Sequence, residues 1–253
     1  SSEDVKANVA EGKFGTWEET GRYLNLALAI GSYEGCGYGE SVGKMIEKDG
    51  VMIPTKEALR SISLDQETSL EKRGSALDLL DLIIRLDLQP GWLSINHPYK
   101  AYSLQHCAYV NHVRFTSHPM FGHDIIYTHK ANKGSVIGRT AERDFLTFVD
   151  SIARLEGGVY LSVGSAVMSP MIFEKALSMV RNTGVHINDA IIRVVDLQEG
   201  SWDWNKGEPP ESDPAYYQRF MKTFSRMGLK SHYLSIDNRS LFVNLYTALK
   251  RKG

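Results

Sequence analysis

The second half of the chain alternates short apolar runs with stretches of helical periodicity, and this alternation constrains the fold most. The runs VYLSV (residues 159–163), AIIRVV (190–195) and HYLSI (232–236) are rich in β-branched and aromatic residues. Strands separated by helices of about 10–15 residues indicate βαβ units and a parallel sheet. Because the runs lack polar alternation, we expect helices on both faces. The predicted fold class is α/β, with a doubly wound, mostly parallel, Rossmann-like sheet.

The part of the chain before these runs is predicted to be helical and rich in glycine. The stretch SALDLLDLIIRLDL at residues 75–88 is amphipathic at helical spacing, and Pro90-Gly91 directly after it ends the helix. We expect a single α/β domain over residues 1–253. Residues 1–90 would form its helical, glycine-rich N-terminal part and residues 91–253 its nucleotide-binding-like core.

The charge balance and the cysteines restrict the partners and the compartment. Lys and Arg number 29 against 30 Asp and Glu, a net charge of −1, so no sequence-independent binding to nucleic acid is expected. No apolar run is long enough for a membrane span, and the first residues lack a signal-peptide pattern. Cys36 and Cys107 form no Cys-x-x-Cys pair and are interpreted as reduced thiols. The expected location is the cytoplasm.

A turn of small residues directly after the run at residues 159–163 is the sharpest local signal for a binding site. Gly164, Ser165 and Ala166 are followed by Ser169 and Pro170, which we interpret as the N-cap and first residue of a helix. Small residues let a phosphate reach backbone N–H groups at the positive end of a helix. The alternative is a tight strand–helix turn that binds nothing.

The segment HPMFGHDIIYTH, residues 118–129, holds further candidates. Gly122 and Asp124 stand before an apolar run, where Asp124 would hold a ribose hydroxyl or cap a helix. His123 and His129 are candidate acid–base groups because histidine titrates near neutral pH.

Histidines are concentrated in one region, which raises a metal hypothesis. Six of the eight fall within residues 97–129, but their spacings are irregular and no His-Glu-x-x-His pattern occurs. We therefore predict no metal and interpret these histidines as structural. Within the same region, HVRF at residues 112–115 is predicted to be a strand.

Three further segments carry groups that a site could use. The glycine-dense stretch at residues 31–43 is either a flexible lid or an irregular surface loop. The polar loop at residues 196–214 holds Trp202 and Trp204, which would stack on a base or pack at a subunit interface. Asp237 follows a predicted strand and is a site residue or a helix cap, with capping favoured.

Residues 111–182 resemble the deoxyhypusine synthase superfamily, whose members have an NAD-binding, Rossmann-like fold. NHVRFTSHPMFGHDIIYTH is similar to the family's Asn-His strand and Gly-x-x-Gly-Asp-Met-Ile segment. GGVYLSVGSAVMSPMIFEKALSMVRN is similar to its strand, triple-glycine turn and helix ending in Met-Arg-Asn, and Gln198-Glu199-Gly200-Ser201 resembles its Gln-Glu-Phe-Asp-Gly-Ser loop. The resemblance implies an NAD cofactor. The cofactor-binding residues it indicates, together with the turn and strand-end residues above, are Gly122, Asp124, Gly164, Ser165, Ala166, Glu199, Ser201 and Asp237.

The chain departs from the family pattern at its catalytic positions. The family's paired histidines are replaced by Ser169-Pro170-Met171, and its glycine triplet by Gly164-Ser165-Ala166. Where the family has a catalytic Trp-Gly-Lys, this chain reads Tyr216-Tyr217-Gln218, while Trp204-Asn205-Lys206 comes earlier. Without a lysine at that position the family's imine intermediate cannot form by its usual route. We therefore expect the fold and the dinucleotide pocket without deoxyhypusine synthesis.

Three classes of function remain open. The first is binding of an NAD-type nucleotide or a small metabolite at the carboxyl ends of the strands. The second is an NAD-dependent transferase or oxidoreductase of unknown substrate. The third is a non-catalytic assembly protein, and a homo-oligomer is expected. Candidate catalytic residues are His123, Asp124, His129 and Lys206.

Overall fold

The structure is a computed structural model that describes residues 10–12, 17–198, 200 and 202–251. The chain forms two compact units, Ser1–Thr147 and Phe148–Gly253. The division falls between residues 147 and 148. Each unit is described by itself.

The first unit consists mainly of helices, with one small antiparallel sheet. Its strands pair with Val51 opposite Leu93 and Met52 opposite Trp92. The elements are α1 (Trp17–Glu34), α2 (Tyr38–Lys48), β1 (Gly50–Ile53), α3 (Lys56–Leu64), α4 (Leu70–Arg85), β2 (Gly91–Ser94), α5 (Leu104–Val110) and α6 (Gly134–Ile152), in which the division between the units falls, with short 3-10 helices at Lys100–Tyr102 and Ile125–Thr128.

Helix α1 lies at the centre of this unit because the middle of the helix is apolar on all sides. Leu26 and Leu28 are completely buried, and they belong to the same core cluster as Leu79 and Ile83 of α4. A helix that is apolar around its whole circumference must be enclosed by other elements. Each buried leucine contributes about 1.5–3 kcal/mol relative to exposure.

The glycine-dense stretch at residues 31–43 belongs to two packed helices and the short turn between them, so both sequence interpretations, a lid and a surface loop, are wrong. Gly31 lies inside α1, and a Cβ atom there would be 1.8 Å from Ser41 Oγ of α2. A Cβ atom on Gly39 would be 2.0 Å from the carbonyl oxygen of Phe115. These glycines are needed because the backbones approach closely at these points.

The second unit contains a parallel sheet and the helices that connect its strands. Among its described residues, the elements in chain order are the end of α6, β3 (Val159–Val163), α7 (Met168–Asn182), β4 (Ile191–Asp196), α8 (Arg219–Ser225), β5 (Lys230–Ser235) and α9 (Asn238–Lys250), with 3-10 helices at Trp204–Lys206 and Pro214–Tyr217.

The three predicted strands of this unit are confirmed as parallel neighbours. The sheet order is β3-β4-β5, and Leu161, Arg193 and His232 lie side by side in its register. The order follows the chain, so β3-α7-β4-α8-β5 is a βαβαβ unit.

The doubly wound fold class is wrong. The described residues form only the two-stranded antiparallel sheet and this three-stranded parallel sheet. One face of the parallel sheet is buried, with Ile192 at 0% and Val194 at 2% exposure, but Val159 (58%) and Leu161 (42%) on the other face are exposed. We expected helices on both faces because the strand sequences are apolar on both faces. Among the described residues, no helical layer covers Val159 and Leu161.

The strand predicted at residues 112–115 is also wrong, because this segment ends a helix. Helix α5 is followed by Asn111 and by His112, whose φ of 54° is left-handed. The N–H of Val113 then donates to the carbonyl oxygen of Ala108 at 2.9 Å. This pattern of a left-handed residue and a backward hydrogen bond is a helix C-cap.

Candidate functional site

The carboxyl ends of β3, β4 and β5 meet at one edge of the parallel sheet, where ligands bind in open α/β sheets. Gly164, directly after β3, has φ +61°, and its N–H donates to the carbonyl oxygen of Val195 at 2.9 Å. A Cβ atom on Gly164 would be 2.8 Å from Asn238 Nδ2, at the start of α9. The glycine turn and the beginnings of α7 and α9 are therefore neighbours at this edge.

Helix α7 is capped differently from the sequence prediction. Ser165 Oγ accepts a hydrogen bond from the N–H of Ser169 at 3.0 Å, and Val167 at the N-cap position makes no side-chain bond. Ser169 therefore lies inside the helix, with Pro170 after it, and its prediction as the N-cap is wrong. Ser165, two residues before the N-cap, makes the capping bond in its place.

The hydroxyl of Ser169 instead belongs to a cluster under the turn. It lies 2.7 Å from Tyr160 Oη and 2.7 Å from Ser162 Oγ, both on β3. The Tyr160 ring stacks on Phe173 of α7 with centroids 4.1 Å apart, and burial raises the pKa of the Tyr160 phenol. These hydrogen bonds and this stacking fix the start of α7 on the sheet.

Consecutive backbone N–H groups at the turn have no hydrogen-bond acceptor among the described residues. Within the described part of the chain, no group accepts a hydrogen bond from the N–H of Ser165, Ala166, Val167 or Met168. The first N–H groups of a helix have no acceptor inside the helix, and the helix dipole makes this end positive. The arrangement is suited to an anion such as phosphate or carboxylate.

Asp196 is a candidate that the sequence reasoning missed. It is the last residue of β4, next to β3 in the sheet, and its Oδ1 accepts from the N–H groups of Leu197 (2.8 Å) and Gln198 (3.1 Å). Its Oδ2 has no hydrogen-bond partner among the described residues. The available signal was an acidic residue that closes the strand after a glycine turn and a helix, the position that contacts ribose in dinucleotide-binding βαβ units.

Asp237 caps helix α9. Its carboxylate accepts from the N–H groups of Arg239 (3.0 Å) and Ser240 (3.2 Å). The hydrogen bond from the Ser240 hydroxyl, followed by that from the Arg239 N–H, lowers the pKa of the Asp237 carboxyl. Of the two roles considered from the sequence, the capping role accounts for these contacts.

The tryptophans of the loop after β4 are engaged inside the second unit. Trp202 Nε1 donates to the carbonyl oxygen of Gly207 at 2.8 Å, and Trp204 stacks beside Tyr233 with ring centroids 6.5 Å apart. Lys206 is exposed at the end of the 3-10 helix Trp204–Lys206. Two predicted cofactor residues of this loop, Glu199 and Ser201, lie outside the described residues.

The remaining candidates belong to the first unit. Gly122, His123 and Asp124 are exposed before the 3-10 helix Ile125–Thr128. His129 is buried, and its Nδ1 accepts from a backbone N–H at 3.0 Å. Its ring therefore has a structural contact, as interpreted from the sequence.

The metal hypothesis gains no support from the described residues, which contain no group of three or more His, Cys, Asp or Glu side chains suited to a metal ion. Two of the histidines form pairs with acidic residues, His106 with Glu47 at 2.6 Å and His97 with Asp49 at 3.5 Å. Both cysteines are free thiols. Among the described residues, no helix has the length and apolarity needed to cross a membrane.

Comparisons with protein-family models, with curated proteins and with solved structures find no match for this chain. The resemblance to the deoxyhypusine synthase superfamily therefore stays a prediction, and function is argued from the geometry of the sites.

Proposed function

We propose that the second unit binds a nucleotide of the NAD type at the carboxyl edge of its parallel sheet. A phosphate of the ligand would be bound by the N–H groups of residues 165–168, and a ribose hydroxyl by Asp196. The observation that carries the proposal is the run of N–H donors at the Gly164 turn that no described residue accepts from. The candidate residues therefore fit the phosphate and ribose of such a ligand.

The order of elements supports this ligand class. A strand, a glycine turn, a helix and a neighbouring parallel strand ending in an acidic residue begin the βαβαβ unit of this chain, and in dinucleotide-binding folds a βαβαβ unit holds one mononucleotide. Gly164 leaves the turn without a side chain on its exposed surface. The carboxylate of Asp196 would accept hydrogen bonds from ribose and repel the additional phosphate of NADP.

The test is a set of titrations of the full chain with NAD, ADP-ribose, NADP and ATP, read by calorimetry and thermal shift. We expect NAD and ADP-ribose to bind, and NADP to bind at least about tenfold more weakly, a difference of about 1.4 kcal/mol. Asp196→Asn keeps an oxygen for the N–H groups of Leu197 and Gln198 but removes the charge, so it should erase this preference.

Two variants test the turn itself. Gly164→Val should abolish binding, because a branched side chain is strained at φ +61° and would collide with the Asn238 side chain, so the turn that presents the donors must change its conformation. Ser165→Ala is the matched control, since it keeps every backbone donor and should cost only the capping bond, about 1 kcal/mol of stability. Circular dichroism checks the fold of both. Undiminished NAD binding by a folded Gly164→Val protein, or equal affinity for NAD and NADP in the unmodified protein, would contradict the proposal.

Self-assembly is a second candidate function, favoured by helix α9. None of the side chains of α9 is buried, and Phe242, Tyr246 and Leu249 form an exposed apolar stripe at helical spacing. In an antiparallel pair of two such helices, Asp237 at one end would lie beside Lys250 of a second copy. The two helix dipoles would point in opposite directions, which favours the pairing. A second copy of this chain is therefore the proposed partner.

The oligomeric state tests this candidate. We expect light scattering to show a dimer that dissociates at least about tenfold more readily in Phe242→Asp, because a buried unpaired charge costs several kcal/mol. Asn244→Asp, an exposed change on the same helix, is the control. A monomer at all concentrations, or a dimer that Phe242→Asp leaves unchanged, would contradict self-assembly through α9.

A further inference from the structure

A small cavity in the first unit has the composition of a ligand site and is independent of the sheet edge discussed above. It has a volume of about 110 Å³ and lies between α1, α2, β1 and β2. Ile30, Met45, Val51, Met52 and Trp92 form its apolar wall. Trp92 is 48% exposed and Met52 54% exposed, so this side of the wall is open to solvent.

The charged residues that line the cavity carry an excess positive charge. Lys44 Nζ and Glu34 Oε2 form an ion pair at 2.6 Å, and both side chains line the cavity. Lys48 also lines it and is exposed, and no acidic group of the described residues lies within ion-pair distance of it. The three charges sum to +1, and only the charge of Lys48 is unpaired.

The spacing of the two lysines on α2 brings their positive charges close together. Lys44 and Lys48 are four residues apart on α2 and therefore occupy the same helix face. Like charges at this spacing repel each other. An anion beside Lys48 would relieve the repulsion and would pair with an ammonium that has no ion-pair partner among the described residues.

We propose that this cavity binds a small organic monoanion, a carboxylic acid with an apolar body of about one ring or a short alkyl chain. The body would pack against Trp92 and Met45, and the carboxylate would pair with Lys48. At about 110 Å³ the cavity is smaller than the apolar cavity of about 150 Å³ that admits benzene, so part of the ligand would extend through the side that is open to solvent beside Trp92 and Met52. A neutral or cationic ligand of the same shape would leave Lys48 unpaired or repel it.

The experiment compares probes that differ only in charge or in the apolar body. Phenylacetate, hexanoate, phenylethanol and phenylethylamine are titrated into the full chain by ligand-observed NMR. We expect at least one of the two acids to bind about tenfold more tightly than the alcohol, the contribution of one charge-assisted hydrogen bond, and the amine not to bind. Phenylacetate against hexanoate distinguishes an aromatic from an aliphatic ligand.

Two variants and one control locate the binding. Lys48→Gln should weaken the acid about tenfold and leave the alcohol unchanged, and Trp92→Leu should weaken phenylacetate more than hexanoate. Lys130→Gln, which removes an exposed lysine outside the cavity, should have no effect. Trp92 and Lys48 are on the surface, so both variants should fold, which circular dichroism verifies. Three outcomes would overturn the proposal. The acids could fail to bind at millimolar concentration, they could bind no better than the amine, or they could lose equal affinity in Lys48→Gln and Lys130→Gln.

Discussion

Replacing Gly39 by alanine is expected to destabilise the first unit by about 3 kcal/mol or more. The new methyl group would lie 2.0 Å from the carbonyl oxygen of Phe115 and 2.7 Å from its ring atom Cδ1. A backbone oxygen cannot rotate away as a flexible side chain can, so α2 or the segment at Phe115 must move. Such a shift would also disturb the hydrogen bond from the Gly39 N–H to Asp144 Oδ2, now 2.8 Å long.

Gly138→Ala is the matched control for this substitution. Gly138 also lies in a helix, α6, but a Cβ atom there would meet nothing within 4 Å. Alanine should therefore stabilise the helix by about 0.5–1 kcal/mol relative to glycine. Urea unfolding followed by circular dichroism measures both changes. A Gly39→Ala protein as stable as Gly138→Ala would show that α2 and the Phe115 segment are not in close contact.

The parallel sheet is the part of the fold that could be predicted from the sequence. The apolar runs at residues 159–163, 190–195 and 232–236 are local signals, and each of them falls on a strand. What covers the sheet is not a local signal. Val159 and Leu161 are apolar whether or not another layer packs on them, so the sequence could not distinguish one covered face from two.

The glycine-dense stretch shows a second limit of local reasoning. Its composition is typical of a loop, but Gly31 and Gly39 are glycines because distant groups pack against them. Gly39 contacts Phe115, which is far away in sequence. Contacts of this kind depend on the tertiary fold, and only an assembled structure reveals them.

The candidate site at the sheet edge was predictable in part. Gly164 and Ser165 were placed correctly at the end of a strand, because an apolar run must turn before the next helix. Asp196 was missed because an acidic residue after a strand is common and gains meaning only when β4 is known to lie next to β3. The cavity was missed since its lining comes from four separate elements.

Asp144→Ala is the second substitution for which we expect a large effect. Asp144 is 2% exposed, and its Oδ2 accepts from the N–H groups of Gly39 (2.8 Å) and Ser117 (2.6 Å). This carboxylate of α6 joins the first turn of α2 to the segment before the 3-10 helix Ile125–Thr128. Alanine would leave the buried donor of Gly39 and the half-buried donor of Ser117 unpaired, at about 1–3 kcal/mol each, so we expect a loss of about 3–5 kcal/mol in total. The control is Glu142→Gln, an exposed change on α6. Its free energy of unfolding should stay within about 0.5 kcal/mol of that of the unmodified protein.

Comparing the unmodified protein with Asp144→Asn separates the effect of the hydrogen bonds on stability from the effect of the negative charge. Burial raises the pKa of the Asp144 carboxyl, the backbone N–H bonds oppose this rise, and the negative charge of Glu40 adds to it. Because the pKa is higher in the folded than in the unfolded protein, the folded state binds the proton more tightly. This group therefore contributes stability at low pH, and that contribution is lost as the pH rises from the ordinary value of 3.8 through the raised pKa.

Asp144→Asn retains an oxygen that can accept from Gly39 and Ser117, and it carries no titratable charge. We expect it to cost about 1 kcal/mol, much less than alanine. The stability difference between the unmodified protein and Asp144→Asn should shrink as the pH rises above 3.8 and become constant once the carboxyl is ionised. Urea unfolding of both proteins across this pH range measures the difference. A difference that grows with pH would mean that the folded protein prefers the carboxylate, since the hydrogen bonds from Gly39 and Ser117 would then outweigh the cost of burying its charge.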